Sequence, residues 1–341
     1  MLQYLIVQLC DTSTSYCNYE NPSKKQHLIS LDDLKAGIFF AMKENLMLQF
    51  VYPDKELPMS YKELINTIDH NDIISSLCED KELTEKADVI VFNDWIGLSY
   101  YRFSKEKTYV IRTSKDDFFD RYKSIKQMLD KVKRINIVFN DVEKFRDEDF
   151  IHLKKTLSFL STDIQELSLT DVLPQVNLLT DRLSLHGMNN CDAGWKNITL
   201  APDGCFYVCP AFYLNKEKSV GDVHSGLMIK NPQLYRMEYA PICRHCDAFQ
   251  CKRCIWLNKK MTLEVNTPSH EQCVISHIER NVSREMLKNL NIKKLVKEPS
   301  EIKEITYLDP FEIMEDWDRE LLQKELVKYH KQYSVNSYVI D

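Results

Sequence analysis

Four cysteines fall within twelve residues, in the order Cys243-x2-Cys246-x4-Cys251-x2-Cys254. Two-residue spacing lets both sulfurs of a pair turn toward one metal at bonding distance, so thiolate metal sites recur on it. Upstream lie Cys191, then Cys205 beside Gly204, then Cys209; downstream lies Cys273. Of the chain's 11 cysteines only Cys10, Cys17 and Cys78 stand in front of this group. A zinc ribbon would use four of the eight clustered cysteines and leave four spare. Two [4Fe-4S] clusters would use all eight. A disulfide set needs an oxidising compartment, which no other feature supports.

Glycine narrows the choice further. There are 7 in 341 residues, and Gly187, Gly194, Gly204, Gly221 and Gly226 all lie in one stretch, leaving Gly37 and Gly97 in front. No G-x-G-x-x-G and no P-loop can be written with these positions, so dinucleotide and P-loop sites are excluded. A net charge of −6 argues against a nucleic-acid or anionic-membrane partner. The first ten residues are apolar, but no basic residue precedes them and no small-residue cleavage site follows, so no signal peptide is expected. No run approaches eighteen apolar residues. These readings point to a cytoplasmic protein with reduced thiols.

Residues 1–185 alternate between strand and helix patterns. Strands are expected at 2–9, 46–52, 88–93, 108–113, 134–140 and 166–170, with helices at 31–44, 61–78, 116–132 and 147–160. Such alternation implies a parallel sheet with right-handed crossovers, open or curled into a partial barrel. The cysteine-rich part spans 186–290 and ends in a helical pattern from Ser269 to about Leu290. A charged tail, 291–341, closes the chain with an amphipathic helix expected at 316–329. The fold class is therefore α/β: a (β/α)6 partial barrel, a small α+β cysteine-rich domain and C-terminal helices.

The order of the cysteines resembles the SPASM domain, the auxiliary-cluster module of radical SAM enzymes that modify ribosomally made peptides. The inner spacings are each one residue shorter here. The resemblance implies that Cys243, Cys246, Cys251 and Cys273 hold one [4Fe-4S] cluster. Cys191, Cys209 and Cys254 would hold three corners of a second, with Cys205 as candidate for the fourth. In the family that last ligand sits just upstream of the first cysteine, where residues 185–190 carry none, so His186, a substrate atom or water are alternatives.

SPASM modules follow a barrel whose first loop carries Cys-x3-Cys-x2-Cys for the cluster that cleaves S-adenosylmethionine. Laid on that pattern, the loop keeps Cys17-Asn18-Tyr19 but has Ser13 and Glu20 at the outer ligand positions. After the second strand, Val51-Tyr52-Pro53-Asp54 stands where the family has Gly-Gly-Glu-Pro. The barrel is thus a degenerate one, with no expected site for S-adenosylmethionine. Taken whole, the chain resembles the pseudo-radical-SAM proteins known as CXXX repeat peptide maturases. That resemblance implies a bacterial accessory protein that acts on a Cys-repeat precursor peptide beside a genuine radical SAM partner.

Other readings stay open at this level. The protein is alternatively a zinc-stabilised peptide-binding scaffold, or an enzyme using Cys17 or a strand-end carboxylate such as Asp11, Asp94 or Asp171. Cys10 and Cys17 read as buried small residues, as a redox pair or as joining Glu20 on a metal, and Cys78 as structural. His70, His152 and His224 read as ordinary surface or core residues, while His245 is placed to tune a cluster sulfur. Trp95, Tyr100, Tyr101 and Trp195 are candidates for the lining of a peptide groove.

Overall fold

A computed structural model describes residues 2–312 together with Lys324 and Val327. The front half lays down β1 (Tyr4–Gln8), α1 (Leu31–Lys43), β2 (Met47–Val51), α2 (Met59–Ile65), β3 (His70–Ser75), α3 (Lys81–Lys86), β4 (Val89–Phe92), β5 (Thr108–Thr113), α4 (Lys115–Arg121), α5 (Lys123–Leu129), β6 (Arg134–Phe139) and α6 (Asp147–Ser168). The six strands pair in parallel in sequence order, which is the arrangement that repeated right-handed crossovers produce. A short β7 (Gln175–Val176) adds to the β6 edge and is followed by α7 (Asp181–Ser184).

The cysteine-rich part contributes β8 (Asn197–Leu200), β9 (Phe206–Tyr207), α8 (Pro210–Leu214), the ribbon β10 (Gly221–Asp222) and β11 (Gly226–Leu227), α9 (Ile255–Thr262) and α10 (His270–Met286); α11 (Leu290–Leu295) follows. β8 pairs in parallel with β1, and β9 pairs antiparallel with β8, so the front sheet continues into the cysteine-rich segment as nine strands. Gly204 makes the β8–β9 turn with φ +75°, and a Cβ there would stand 2.9 Å from Asp33 Cγ.

The two faces of the sheet have separate cores. Leu5, Val7, Phe50, Ile74, Ile90, Ile111 and Ile135 point outward into one large core with the helices, a core that also takes in Val274, Ile278 and Met286 of α10. Ile6, Val51, Ile73, Val91 and Val110 form a smaller inner cluster, against which Tyr16 of the loop after β1 packs. The inner face therefore holds small branched side chains, and the β1 loop lies over them.

Three expectations fail. Residues 61–78 do not form one helix: α2 stops after seven residues and β3 enters the sheet beside β2. The polar start His70-Asn71-Asp72 hides the strand, while Ile73 and Ile74 bury it. Residues 166–170 are not a strand either, because α6 runs on to Ser168. Phe150, Leu153, Leu157, Leu160 and Ile164 form an unbroken buried stripe at helical spacing that carries the helix past Leu160. The helix expected at 116–132 is broken at Tyr122, between α4 and α5. The helix expected at 316–329 lies outside the described residues, apart from Lys324 and Val327. No described helix is long and apolar enough to cross a membrane.

Candidate metal centre and the loop after the first strand

The loop after β1 is fastened to the barrel by its own side chains. Ser13 Oγ accepts from the Cys10 N–H (3.0 Å) and donates to the Val51 carbonyl (2.7 Å), so both its bonding directions are taken. Glu20 Oε1 accepts from Arg112 Nη2 at 2.7 Å. Arg112, on the inner side of β5 and 3% exposed, also donates to the carbonyls of Cys17 (3.0 Å) and Tyr19 (2.6 Å) and to Asn93 Oδ1 (2.8 Å). One buried guanidinium therefore holds residues 17–20 across the mouth of the barrel. Asp11 accepts from the Tyr213 hydroxyl, which ties the same loop to α8.

The eight cysteines of the back half do not form one group. Cys243, Cys246, Cys251 and Cys273 share a buried neighbourhood in which each of these thiols feels others of the set. Burial, then the neighbouring sulfurs, pushes the Cys243 thiol up to about 12; burial acts likewise on Cys246, at about 12. Cys273 is raised further for the same reasons. Backbone N–H groups point at two of the sulfurs, Ala248 at Cys246 (3.4 Å) and Arg253 at Cys251 (3.4 Å). His277 Nε2 meets the Cys246 sulfur at 3.7 Å, with its Nδ1 on the Cys273 carbonyl (2.9 Å). Arg280 grips Asp247 through Nε (2.7 Å) and Nη2 (2.6 Å), and fully buried Arg182 donates to the Asp247 carbonyl (2.8 Å), so the cysteine loop is bolted to α10 and α7.

Cys191, Cys209 and Cys254 form the second neighbourhood. The Cys191 N–H donates to the Lys252 carbonyl (3.0 Å), which sets it beside the segment bearing Cys254. Cys209 is the N-cap of α8 and Cys254 that of α9. Backbone N–H groups face all three sulfurs: Ala193 and Ile255 at Cys191, Ala211 and Phe212 at Cys209, Leu257 at Cys254. Burial raises each thiol, and each of Cys209 and Cys254 is raised further by Cys191 and by Cys17.

Cys205 stands apart. It lies opposite Asp222 across an isolated bridge, and its strongest neighbours are Asp203, Asp222, Ser219 and Asp33, with no cysteine among them. His186 is exposed. The remaining candidates disperse. His245 is exposed, and the histidine that reaches a sulfur is His277, four residues after Cys273 on α10. That i, i+4 spacing is the signal the sequence offered for it. Trp95 is buried, donating to Thr113 Oγ1 (2.9 Å); Tyr101 packs with Phe92, Phe103 and Tyr109; Tyr100 is exposed; Trp195 lies under Arg236. They line no common groove. Asp171 follows α6 rather than a strand, in a left-handed turn with φ 57°. Asp94 caps a local turn at Ile96 (2.8 Å), His152 stacks on Phe119, and His224 stands 3.3 Å from Asp33. Cys10 is buried with its sulfur on Thr12 Oγ1 (3.2 Å), and all the cysteines are free thiols.

The residues fit a thiolate-bound cluster on one further observation. Arg253 is fully buried between the two neighbourhoods. Its Nη1 donates to the Tyr235 carbonyl (3.1 Å), while Nε and Nη2 have no partner. A guanidinium in that position is costly unless anions face it, and neutral thiols supply none. Cys243 and Cys191 are the sulfurs it acts on, and thiolate-bound clusters there would be its counter-ions. Among the described residues no three His, Cys, Asp or Glu side chains are gathered to hold a single metal ion.

Solved structures share this fold. The solved structure described as native anSMEcpe with bound AdoMet and Cp18Cys peptide is similar at a TM-score of 0.57 and 15% identity, over 86% of this chain and 100% of that one. The structure of native anSMEcpe with bound AdoMet alone is similar at 0.57 and 13%, over 86% and 100%. The chain shares the radical SAM fold. The resemblance read from the sequence thus holds at the level of the fold, with the six-stranded parallel sheet and the cysteine-rich extension in place. No family model matches the chain, and no curated protein matches it.

Proposed function

We propose that this protein is a peptide-maturation protein that has kept auxiliary iron–sulfur clusters and lost the cluster that cleaves S-adenosylmethionine. It would bind a Cys-repeat precursor peptide and work beside a genuine radical SAM enzyme. The observation that carries the reading is the bonding of the β1 loop. Ser13 is spent between Cys10 and Val51, and Glu20 and the loop backbone are held by Arg112, so two of the three ligand positions are engaged within the protein. A single thiolate there is a poor anchor for a cubane, and serine and glutamate oxygens are hard ligands that suit it badly.

The likeness to structures holding a bound peptide supports the peptide role, and the Arg253 guanidinium between the two thiol groups supports anionic clusters. When bound, such clusters would supply electron transfer or a site for a substrate thiol. The chain's own part is to hold the thiolates through backbone N–H groups and to exclude water from them. Reduced, cluster-loaded protein is expected to yield no 5′-deoxyadenosine from S-adenosylmethionine, while a labelled Cys-repeat precursor binds it in a pull-down. Formation of 5′-deoxyadenosine would contradict the loss of the catalytic cluster, and absence of peptide binding would contradict the maturation role.

A further inference from the structure

We propose that Cys17 is the fourth protein ligand of the cluster held by Cys191, Cys209 and Cys254, and that Cys205 is not a ligand. This rests on the reading of the back half as a cluster-binding module.

Three lines of geometry converge on the assignment. First, the β1 loop is carried to the second cysteine neighbourhood and fixed there. Arg112 holds the Cys17 carbonyl at 3.0 Å, and the bond between Asp11 and Tyr213 joins the loop to α8, whose N-cap is Cys209. Second, the residue after Cys17 borders the cluster loop. Asn18 lines a cavity of about 100 Å³ together with Cys254, Lys252 and Cys251, below the end of β6. Third, the Cys17 sulfur shares its electrostatic surroundings with the other three sulfurs. It lies in electrostatic range of Cys191, and Cys209 and Cys254 each lie in range of both Cys17 and Cys191. Tyr16 lies in the same range of Cys209 and Cys191, and Tyr19 of Cys209.

Cys205 fails on the same criteria. Three carboxylates, Asp203, Asp222 and Asp33, surround its sulfur, and a further anionic cluster beside them would be repelled. Cys17 has two cations nearby, Arg112 and Lys252, which would offset the charge of an anionic cluster where Cys205 has three carboxylates. Ligation forms one iron–sulfur bond and releases the thiol proton to solvent, with no change in oxidation state. The surviving cysteine of a lost three-cysteine motif thus completes the auxiliary site from the other half of the chain.

The test uses the full chain purified without oxygen, as wild type, Cys17→Ala and Cys205→Ala. Cys205→Ala is expected to keep the wild-type iron, about eight per chain. Cys17→Ala is expected to hold about four to seven, with the electron paramagnetic resonance signal of a three-iron cluster where one iron is lost. Wild-type iron and an unchanged spectrum in Cys17→Ala, or the loss appearing in Cys205→Ala instead, would overturn the assignment. A second measurement covers the case in which Cys17→Ala does not fold. In wild-type protein, alkylation of Cys17 is expected to be blocked until the metal is stripped, while Cys205 reacts before and after stripping. Equal alkylation of Cys17 in loaded and stripped protein would refute the ligand role. Zinc in place of iron would defeat the iron–sulfur reading, yet the same variants would still show which cysteine binds. A wild type that takes up no metal would defeat both.

Discussion

Arg112 shows how one side chain can decide what a loop does. It makes four hydrogen bonds from a buried position, three of them to residues 17–20, and the sequence holds no sign of those three because their partners lie more than 90 residues away. Replacement by methionine keeps the volume and strips the donors, leaving two carbonyls unsatisfied; a loss of about 2–4 kcal/mol is expected in a denaturant melt. A loss under about 0.5 kcal/mol would mean the loop is held by other groups. His70 offers a pH test far from the cysteines. Its pKa is raised chiefly by the Asp72 carboxylate (3.4 Å), with burial opposing and the Ile68 carbonyl assisting. A raised folded-state pKa contributes stability in full below the unfolded value of ~6.5 and loses it as pH rises through the folded value. Wild type should therefore exceed His70→Gln in melting temperature by more at pH 5.5 than at pH 8.5. An equal difference at both would remove the ion pair from the account.

At the scale of elements, the structure separates what periodicity can reveal from what it cannot. β1, β4 and β5 were legible as compact runs buried on both faces, and β2 and β6 because their apolar residues recur at strand spacing on the buried side. β3 was not, because its first three residues are polar and its neighbouring helix pattern ran through it. The end of α6 was misread because Glu166-Leu167-Ser168-Leu169-Thr170 alternates like a strand while the buried stripe through Ile164 continues the helix. Ile164 is fully buried. Ile164→Ala should thus cost about 2–5 kcal/mol, read as a fall in the unfolding midpoint. A cost below about 1 kcal/mol would place Ile164 outside the core. The spacing alone joins Cys243, Cys246, Cys251 and Cys254, and only the family resemblance set Cys273 with the first three. The neighbourhood of Cys17 was hidden, because a ligand from the opposite half of the chain leaves no local spacing to read.

The whole molecule joins its two halves through one sheet and one core. β8 lies directly against β1, and α10, which bears Cys273 and His277, packs on α6 and α7. The loop after β1 therefore sits where the barrel mouth meets the cysteine-rich segment, tied there by Ser13, Glu20 and Asp11. The proposed function requires auxiliary clusters at the back half of the chain and none on the β1 loop. It is tested most directly by counting iron and acid-labile sulfide in anaerobically purified wild-type protein, with an absorption spectrum from the same sample. The account expects a brown protein with about eight irons and eight sulfides per chain. About twelve irons, implying a third cluster on the β1 loop, or a colourless protein with zinc alone, would contradict it.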